Sequence, residues 1–136
     1  MLHPHLLRPL NLAPAAHPRG QDHISSASGM VLAGSWLYIV ADDEHHLATL
    51  AIGDMQAGPV RFRRILAGDL PSDHQFRKKQ KPDFESICLL PAGEVHADGA
   101  LLLLGSGSSP QRRRGLLLAL EGTGAIVGEP VPIDLA

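Results

Sequence analysis

The sequence contains little cysteine, few aromatic residues and no long apolar run, and each shortage limits what the protein can be. Among its 136 residues the only cysteine is Cys88, so no disulfide can form within the chain, and we expect a reducing compartment, the cytoplasm. Aromatic residues make up 4% of the chain, so aliphatic side chains must build the core. The longest apolar runs, such as residues 100–104, are too short to cross a bilayer, so we expect no membrane partner.

Charge of one sign is also lacking. The formal net charge is −2, which gives the protein no general attraction for polyanions. One basic run, Arg77–Lys81, has only Phe76 and Phe84 beside it as stacking residues, so we expect no nucleic-acid partner. What the sequence does contain is 14 glycines and 11 prolines, and these residues indicate frequent turns.

Short apolar runs separated by turn residues occur twice along the chain. Residues 34–42 parallel residues 99–106, and residues 28–30 parallel residues 85–87. No stretch shows a sustained 3.6-residue apolar period, so long helices are not expected. Four short strands per repeat are typical of β-propeller blades, and a single β-sandwich is the alternative. The sequence therefore predicts an all-β protein made of two four-stranded antiparallel meanders, as blades of an incomplete propeller.

The turn residues also predict the division of the chain. The predicted parts are an N-terminal arm (residues 1–23, with one short strand around 6–12), a first blade (24–68), a polar inter-blade loop (69–83) and a second blade (84–136). A complete propeller has about 4–8 blades. Two blades cannot close, so we expect either missing C-terminal blades or self-assembly, with three copies giving the simplest symmetric ring.

Several short motifs, taken in order, resemble a known group. They are Ser26–Met30, Leu37–Asp43, Lys81–Ile87, Gly99–Ser106 and Arg113–Leu117. Together they resemble an uncharacterised bacterial β-propeller family, which is similar to the esterase-like phytase propellers with their Asp-Leu-Glu-Gly-Ile/Leu signature. The resemblance covers about residues 22–120. It implies a propeller fold and a full-length relative about twice as long, with no established substrate. Within the chain's counterpart of the signature, Ser86 replaces the glycine.

The meander topology predicts which loops share a face. The loop after the second strand and the connection to the next blade lie on the same side, which brings together residues 42–46, 69–83 and 105–114. These are the most polar segments of the chain, and long connections on a rigid scaffold often carry function. The opposite face receives ordinary turns, at residues 33–35, 53–59, 91–99 and 121–124.

Two carboxylates on the polar face are candidate metal ligands. Asp83 and Glu85 form an Asp-x-Glu pattern at the start of a predicted strand, so both side chains should point to the same side. Such a pair could hold Ca²⁺ or Mg²⁺, or divide an acid and a base role. The alternative is that they are solvated, or are paired with Lys81 or the arginines at 112–114.

An arginine run on the same face is a candidate anion site. Arg112, Arg113 and Arg114 lie near Ser106 and Ser108 in a loop rich in glycine and serine. Guanidinium groups and free backbone N–H groups suit a phosphate or a carboxylate. The loop lacks the Gly-Lys-Ser/Thr ending of a P-loop, and a charged hairpin tip is the alternative interpretation.

The remaining candidates on this face are Asp42, Asp43 and Lys81. The segment Asp42–His46 is dense in ligand residue types but shows no known metal spacing. No Gly-x-Ser-x-Gly motif surrounds a serine, so a serine hydrolase is not expected. Cys88, in an apolar run, is predicted to be a buried structural thiol.

Two functions remain open on these residues. The first is a propeller binding module whose acidic and arginine-rich face takes an anionic small molecule or a protein. The alternative is a metal-assisted hydrolase of the phosphoesterase type, with no catalytic residue assigned beyond the cation ligands. The hydrolase requires carboxylates within about 5 Å of one another and open coordination positions.

Overall fold

The computed structural model describes residues 1–6, 8–52 and 60–135. The predicted turn at 53–59 and one residue of the predicted arm strand, Leu7, lie outside these residues. The strands are β1 (Ala27–Ala33), β2 (Trp36–Ala41), β3 (His46–Ala51), β4 (Arg61–Arg64), β5 (Phe84–Leu90), β6 (Ala100–Gly105), β7 (Arg114–Ala119) and β8 (Val131–Asp134), and the single α-helix of the described residues is α1 (His74–Gln80).

The strands form two four-stranded antiparallel sheets, β1-β2-β3-β4 and β5-β6-β7-β8. Within each sheet, every strand pairs with its neighbour in sequence, which is the connectivity of an antiparallel meander. The prediction of an all-β protein with two four-stranded antiparallel meanders is therefore confirmed.

The two sheets repeat each other in backbone detail. The residue just before each first strand, Ser26 or Asp83, has a positive φ of 57°. Its carbonyl oxygen accepts a hydrogen bond from the residue just after the second strand, Asp42 or Ser106. Each first strand also has a register shift at its start. Positions 26 and 83 thus correspond, as do 42 and 106, and serine and aspartate occupy them in opposite order.

The main core lies between the two sheets, with β1 packed beside β5. Val40 and Leu47 of the first sheet meet Leu101, Leu103 and Leu118 of the second, and all five are buried. At one end the turn after β1 contacts the turn after β7, where Gly34 and Gly124 have positive φ and a Cβ on either would collide with the other turn's backbone. The sheets are therefore joined along their faces and at this end.

The N-terminal arm covers the outer face of the first sheet. Leu12 packs with Ile39, Ala48 and Val60 in a second apolar cluster, and it forms an isolated parallel bridge with Val60. In the described residues of the arm this bridge replaces the strand predicted around 6–12, because Pro14, two residues after Leu12, begins a short 3₁₀ turn at Pro14–Ala16.

The outer face of the second sheet has no comparable cover in the described part of the chain. Cys88, Leu102 and Leu117 are cross-strand neighbours on this face, and Cys88 is exposed. The prediction of a buried thiol is therefore wrong, since the apolar run around Cys88 belongs to a strand of which only one face contacts the first sheet.

The connection between the sheets contains a helix that the sequence pattern did not predict. Helix α1 begins after Asp73, whose side chain accepts a hydrogen bond from the Phe76 N–H, and its last turn is basic. An aspartate cap and cations near the C-terminus both stabilise a short helix. Within the described residues, no helix has the length and apolar character needed to span a bilayer.

Candidate functional site

The three polar segments predicted to share a face do meet. Lys81, from the connection between the sheets, contacts Asp42 after β2, and Arg112, from the loop after β6, contacts Asp83 before β5. The Gln111 side chain also donates to the Lys79 carbonyl, at 3.4 Å. The meander topology was therefore sufficient to locate this face.

Lys81 lies at the centre of a carboxylate–lysine cluster, which we define as Asp42, Asp43, Asp83 and Lys81. The Lys81 Nζ is 3.0 Å from Asp42, 3.4 Å from Asp43 and 2.8 Å from Asp83. Partial burial alone would lower the pKa of Lys81, but the hydrogen bonds to Asp83 and Asp42 raise it above its ordinary value. The lysine is therefore held as a cation among three carboxylates.

Asp83 uses both of its oxygens within the protein. Oδ1 pairs with Lys81, while Oδ2 accepts from Ser106 Oγ at 2.6 Å and from Arg112 at 2.9 Å. Burial would raise the pKa of this carboxyl, but the hydrogen bonds from Lys81 and Ser106, with Arg112 nearby, lower it overall. Since Arg77 similarly pairs with Asp43, three cations balance the three carboxylates of the cluster.

The candidate metal ligands are close together, but not for the predicted reason. Asp83 lies outside β5 at a positive φ, so strand alternation does not align it with Glu85. Nevertheless, Asp42, Asp83 and Glu85 each place one carboxylate oxygen within 4.8 Å of the others. The distance required for a shared cation is met, whereas open coordination is not, because Lys81 and Arg112 already contact Asp83. Glu85 itself is exposed.

A cationic pocket lies next to the cluster, between α1 and the loop after β6. It encloses about 450 Å³ and is lined by Gln75, Lys78, Lys79, Ser108, Ser109, Gln111 and Arg112. All of these side chains are polar and none is acidic. Ser109 Oγ and Arg112 Nε are buried without a hydrogen-bond partner in the described residues, so two donors of the lining residues are unsatisfied within the protein.

The predicted anion-binding residues divide between three places. Arg112 and Ser108 line the cationic pocket, where their side chains are 3.0 Å apart, whereas Ser106 joins the carboxylate–lysine cluster. Arg113 and Arg114 instead line a separate depression with Pro132 and Ile133. The prediction that the three arginines act together is therefore not supported by their positions, since Arg114 begins β7 and faces another part of the surface.

The segment Asp42–His46 is divided between two places. Asp42 and Asp43 belong to the polar face, whereas Glu44 contacts the N-terminal arm. Glu44 is buried, and its Oε1 accepts from His17 at 3.0 Å, from Arg19 at 2.9 Å and from the Ser25 N–H at 3.2 Å. Beside it, burial lowers the pKa of His46, whose ring stacks on Phe62. These residues fasten the arm to the first sheet.

Sequence reasoning missed the lysines of the pocket. Lys78 and Lys79 belong to the basic run Arg77–Lys81, for which the sequence predicts no nucleic-acid partner. An aspartate at 73 followed by a basic run is a signal for a short capped helix, whereas the position of Lys78 beside the loop at 105–114 depends on how that helix packs. No sequence pattern singles out Ser109 as a pocket residue, since its place in the pocket depends on how α1 packs beside the loop after β6.

The fold and the site define an all-β protein of two stacked antiparallel meanders, with a charge-paired cluster and a cationic pocket at one end. A family described as "Family of unknown function (DUF6929)" matches residues 23–135, so the chain belongs to this family. The arm residues Leu12, His17 and Arg19 precede the matched region. Neither a curated protein nor a solved structure matches the chain.

Proposed function

We propose that the protein is a binding module built from two neighbouring blades of an incomplete β-propeller, and that it binds an anionic small molecule in the cationic pocket. The propeller interpretation is supported by the repeated first-strand geometry and by the packing of β1 beside β5, as expected of innermost strands around an axis. A full ring would require further blades, from more chain or from other copies.

The observation that carries the binding proposal is the unused donor capacity of the pocket. Lys78 makes no ion pair within the described residues, and Ser109 Oγ and Arg112 Nε are buried without partners. Leaving a buried polar atom unpaired costs free energy, so a ligand that pairs with it gains the corresponding amount. An anion with several acceptor oxygens, such as a phosphate, satisfies an ammonium, a hydroxyl and a guanidinium together.

Titration calorimetry with inorganic phosphate and pyrophosphate at low ionic strength tests this proposal. We expect binding by the wild type and a loss of about tenfold or more in Lys78→Gln, because a hydrogen bond to a charged group contributes about 1.5–3 kcal/mol. Ser109→Ala should weaken binding without any change of charge.

The matched control is Arg113→Gln, which also removes one positive charge but from an exposed residue outside the pocket. Equal phosphate affinity in the wild type, Lys78→Gln and Ser109→Ala would show that the pocket is not the binding site. An equal loss in Arg113→Gln would mean that phosphate responds only to overall charge.

The metal-assisted phosphoesterase remains the second candidate because Asp42, Asp83 and Glu85 approach within 4.8 Å. The carboxylate–lysine pairing favours the binding module instead, since Lys81 occupies the position between the carboxylates. Calcium and magnesium titrations of the wild type and Lys81→Met separate the two. Binding only in Lys81→Met supports the charge-paired cluster, whereas tight binding by the wild type with cleavage of 4-nitrophenyl phosphate would support the hydrolase.

A further inference from the structure

A second cavity lies between the two sheets, towards the end where the turn after β1 meets the turn after β7. It encloses about 310 Å³, and its walls include Trp36 and Tyr38 of β2, Arg61 and Arg63 of β4, and Ile126 after β7. We call it the interfacial cavity. It shares no lining residue with the cationic pocket.

The floor of the interfacial cavity is apolar and fixed in position. Trp36 and Tyr38 are two residues apart on β2 and so point to the same side of the sheet. The Tyr38 hydroxyl donates to the Gly124 carbonyl at 2.7 Å, which ties this ring to the second sheet. Trp36 and Ile126 are partly buried against the main core, and both line the cavity with apolar surface.

One wall of the cavity is cationic. Arg61 and Arg63 alternate along β4 and therefore lie on the same side of the sheet. Arg63 donates to the Gly128 carbonyl at 2.6 Å, but its Nε is buried without a partner in the described residues. Arg61 is exposed and makes no ion pair within the described part of the chain. No carboxylate is among the lining residues.

We propose that the interfacial cavity binds an aromatic carboxylate, with the ring on Trp36 and Ile126 and the carboxylate between Arg61 and Arg63. Either half of such a ligand alone would bind weakly. A small anion makes no apolar contact with the floor, and a neutral ring makes no ion pair with Arg61 or Arg63. The site differs in this respect from the cationic pocket, whose lining contains no apolar side chain.

The chain offers a direct signal for this test, because Trp36 is its only tryptophan. Phenylacetate is the probe, and acetate and benzyl alcohol represent its two halves. We expect phenylacetate to change the Trp36 emission saturably, and acetate and benzyl alcohol to bind at least about tenfold more weakly.

Arg61→Gln is the first variant, because its exposed side chain can be replaced without disturbing the core; Arg61→Gln with Arg63→Gln is the second. Each should weaken phenylacetate binding by about tenfold or more, while Arg113→Gln, with the same charge change elsewhere, should not. Inorganic phosphate binding to the cationic pocket should survive in Arg61→Gln, which separates the two proposals. Three results would each overturn the inference. They are a Trp36 emission that does not respond saturably to phenylacetate, equal affinities for acetate and phenylacetate, and an unchanged phenylacetate affinity in the double variant.

Discussion

At the scale of single residues, Asp83 has the most demanding position in the structure. It is buried, it has a positive φ, and it contacts Lys81, Ser106 and Arg112. Aspartate and asparagine tolerate this backbone conformation better than other residues with side chains, apart from glycine. One residue thus combines a backbone role at the start of β5 with an electrostatic role between the two sheets.

Asp83→Asn should remove the charge while keeping the backbone conformation. We expect the free energy of unfolding at pH 7 to fall by about 1–3 kcal/mol, because Lys81 and Arg112 each lose a buried charged partner. Lys81 keeps Asp42 and Asp43, and Arg112 keeps its hydrogen bonds to Ser108 and to the Lys78 carbonyl. Urea denaturation measures this change. Asp69→Asn, which breaks the exposed pair with Arg64, is the control and should change stability little.

The pH dependence of the same residue has a definite sign. Its pKa is lowered in the folded protein, so its contribution is complete above the ordinary aspartate pKa of about 3.9 and is lost as the pH falls through the lower folded pKa. Wild-type stability should therefore decline more steeply than that of Asp83→Asn in acid below about pH 4. If the free energy of unfolding fell with pH in the same way for the wild type and Asp83→Asn, the lowered pKa of Asp83 would be contradicted.

At the scale of secondary structure elements, the sequence predicted the sheets well and the connections less well. The runs at 36–41 and 100–105 became central strands, each paired along both edges with a neighbouring strand. Their aliphatic residues build the core between the two sheets, through Val40 in the first run and through Leu101 and Leu103 in the second. Helix α1 was missed because it is short and has no apolar periodicity, although Asp73 offered a capping residue. The exposure of Cys88 was missed because it depends on tertiary packing. For the acidic residues at 83 and 85 the sequence left two interpretations open, a cation site and pairing with Lys81 or the arginines. The choice between them depends on how the connection at 69–83 folds back, and in the structure Asp83 pairs with Lys81 and Arg112.

The contact between the turns after β1 and β7 predicts one glycine effect. Gly124 has φ of +84°, and a Cβ there would collide with the Ala33 carbonyl. Gly124→Ala should therefore lower the free energy of unfolding by at least about 1 kcal/mol, because alanine is strained at positive φ as well as crowded.

Gly128→Ala provides the matched control for urea denaturation. Its φ is also positive, at +70°, but a Cβ there would meet no atom within 4 Å. The difference between the two variants isolates the turn contact from backbone strain. If the two variants lost the same free energy of unfolding, the contact between the turns after β1 and β7 would contribute nothing to stability.

At the scale of the whole molecule, the arm changes the expected mode of assembly. A ring of three copies requires both outer faces to be available, yet Leu12 and its neighbours cover the outer face of the first sheet. With the arm in place, the outer face of the second sheet is the one left open within the part of the chain that the structure describes. Ring formation through both faces would therefore require the arm to leave.

Removal of residues 1–22 should expose Ile39 and Val60, each of which contributes about 1.5–3 kcal/mol by its burial. It would also leave Glu44 buried without His17 and Arg19, so Glu44→Gln in the shortened protein should restore part of the stability. Light scattering coupled to size exclusion should show larger species for the shortened protein, with or without Glu44→Gln, than for the full chain. An unchanged mass with unchanged stability would show that the arm is not a cover.

A single covalent connection joins the two sheets, and it passes through helix α1, whose exposed Lys78 and Lys79 form a natural site for trypsin. A backbone cut there would separate the chain into two fragments but would leave the shared core, the turn contact and the pairing of Lys81 with Asp42. The two pieces would then hold together as a noncovalent complex. The protein is in this sense a natural candidate for fragment complementation, in which neither half keeps its shape alone and the pair restores it.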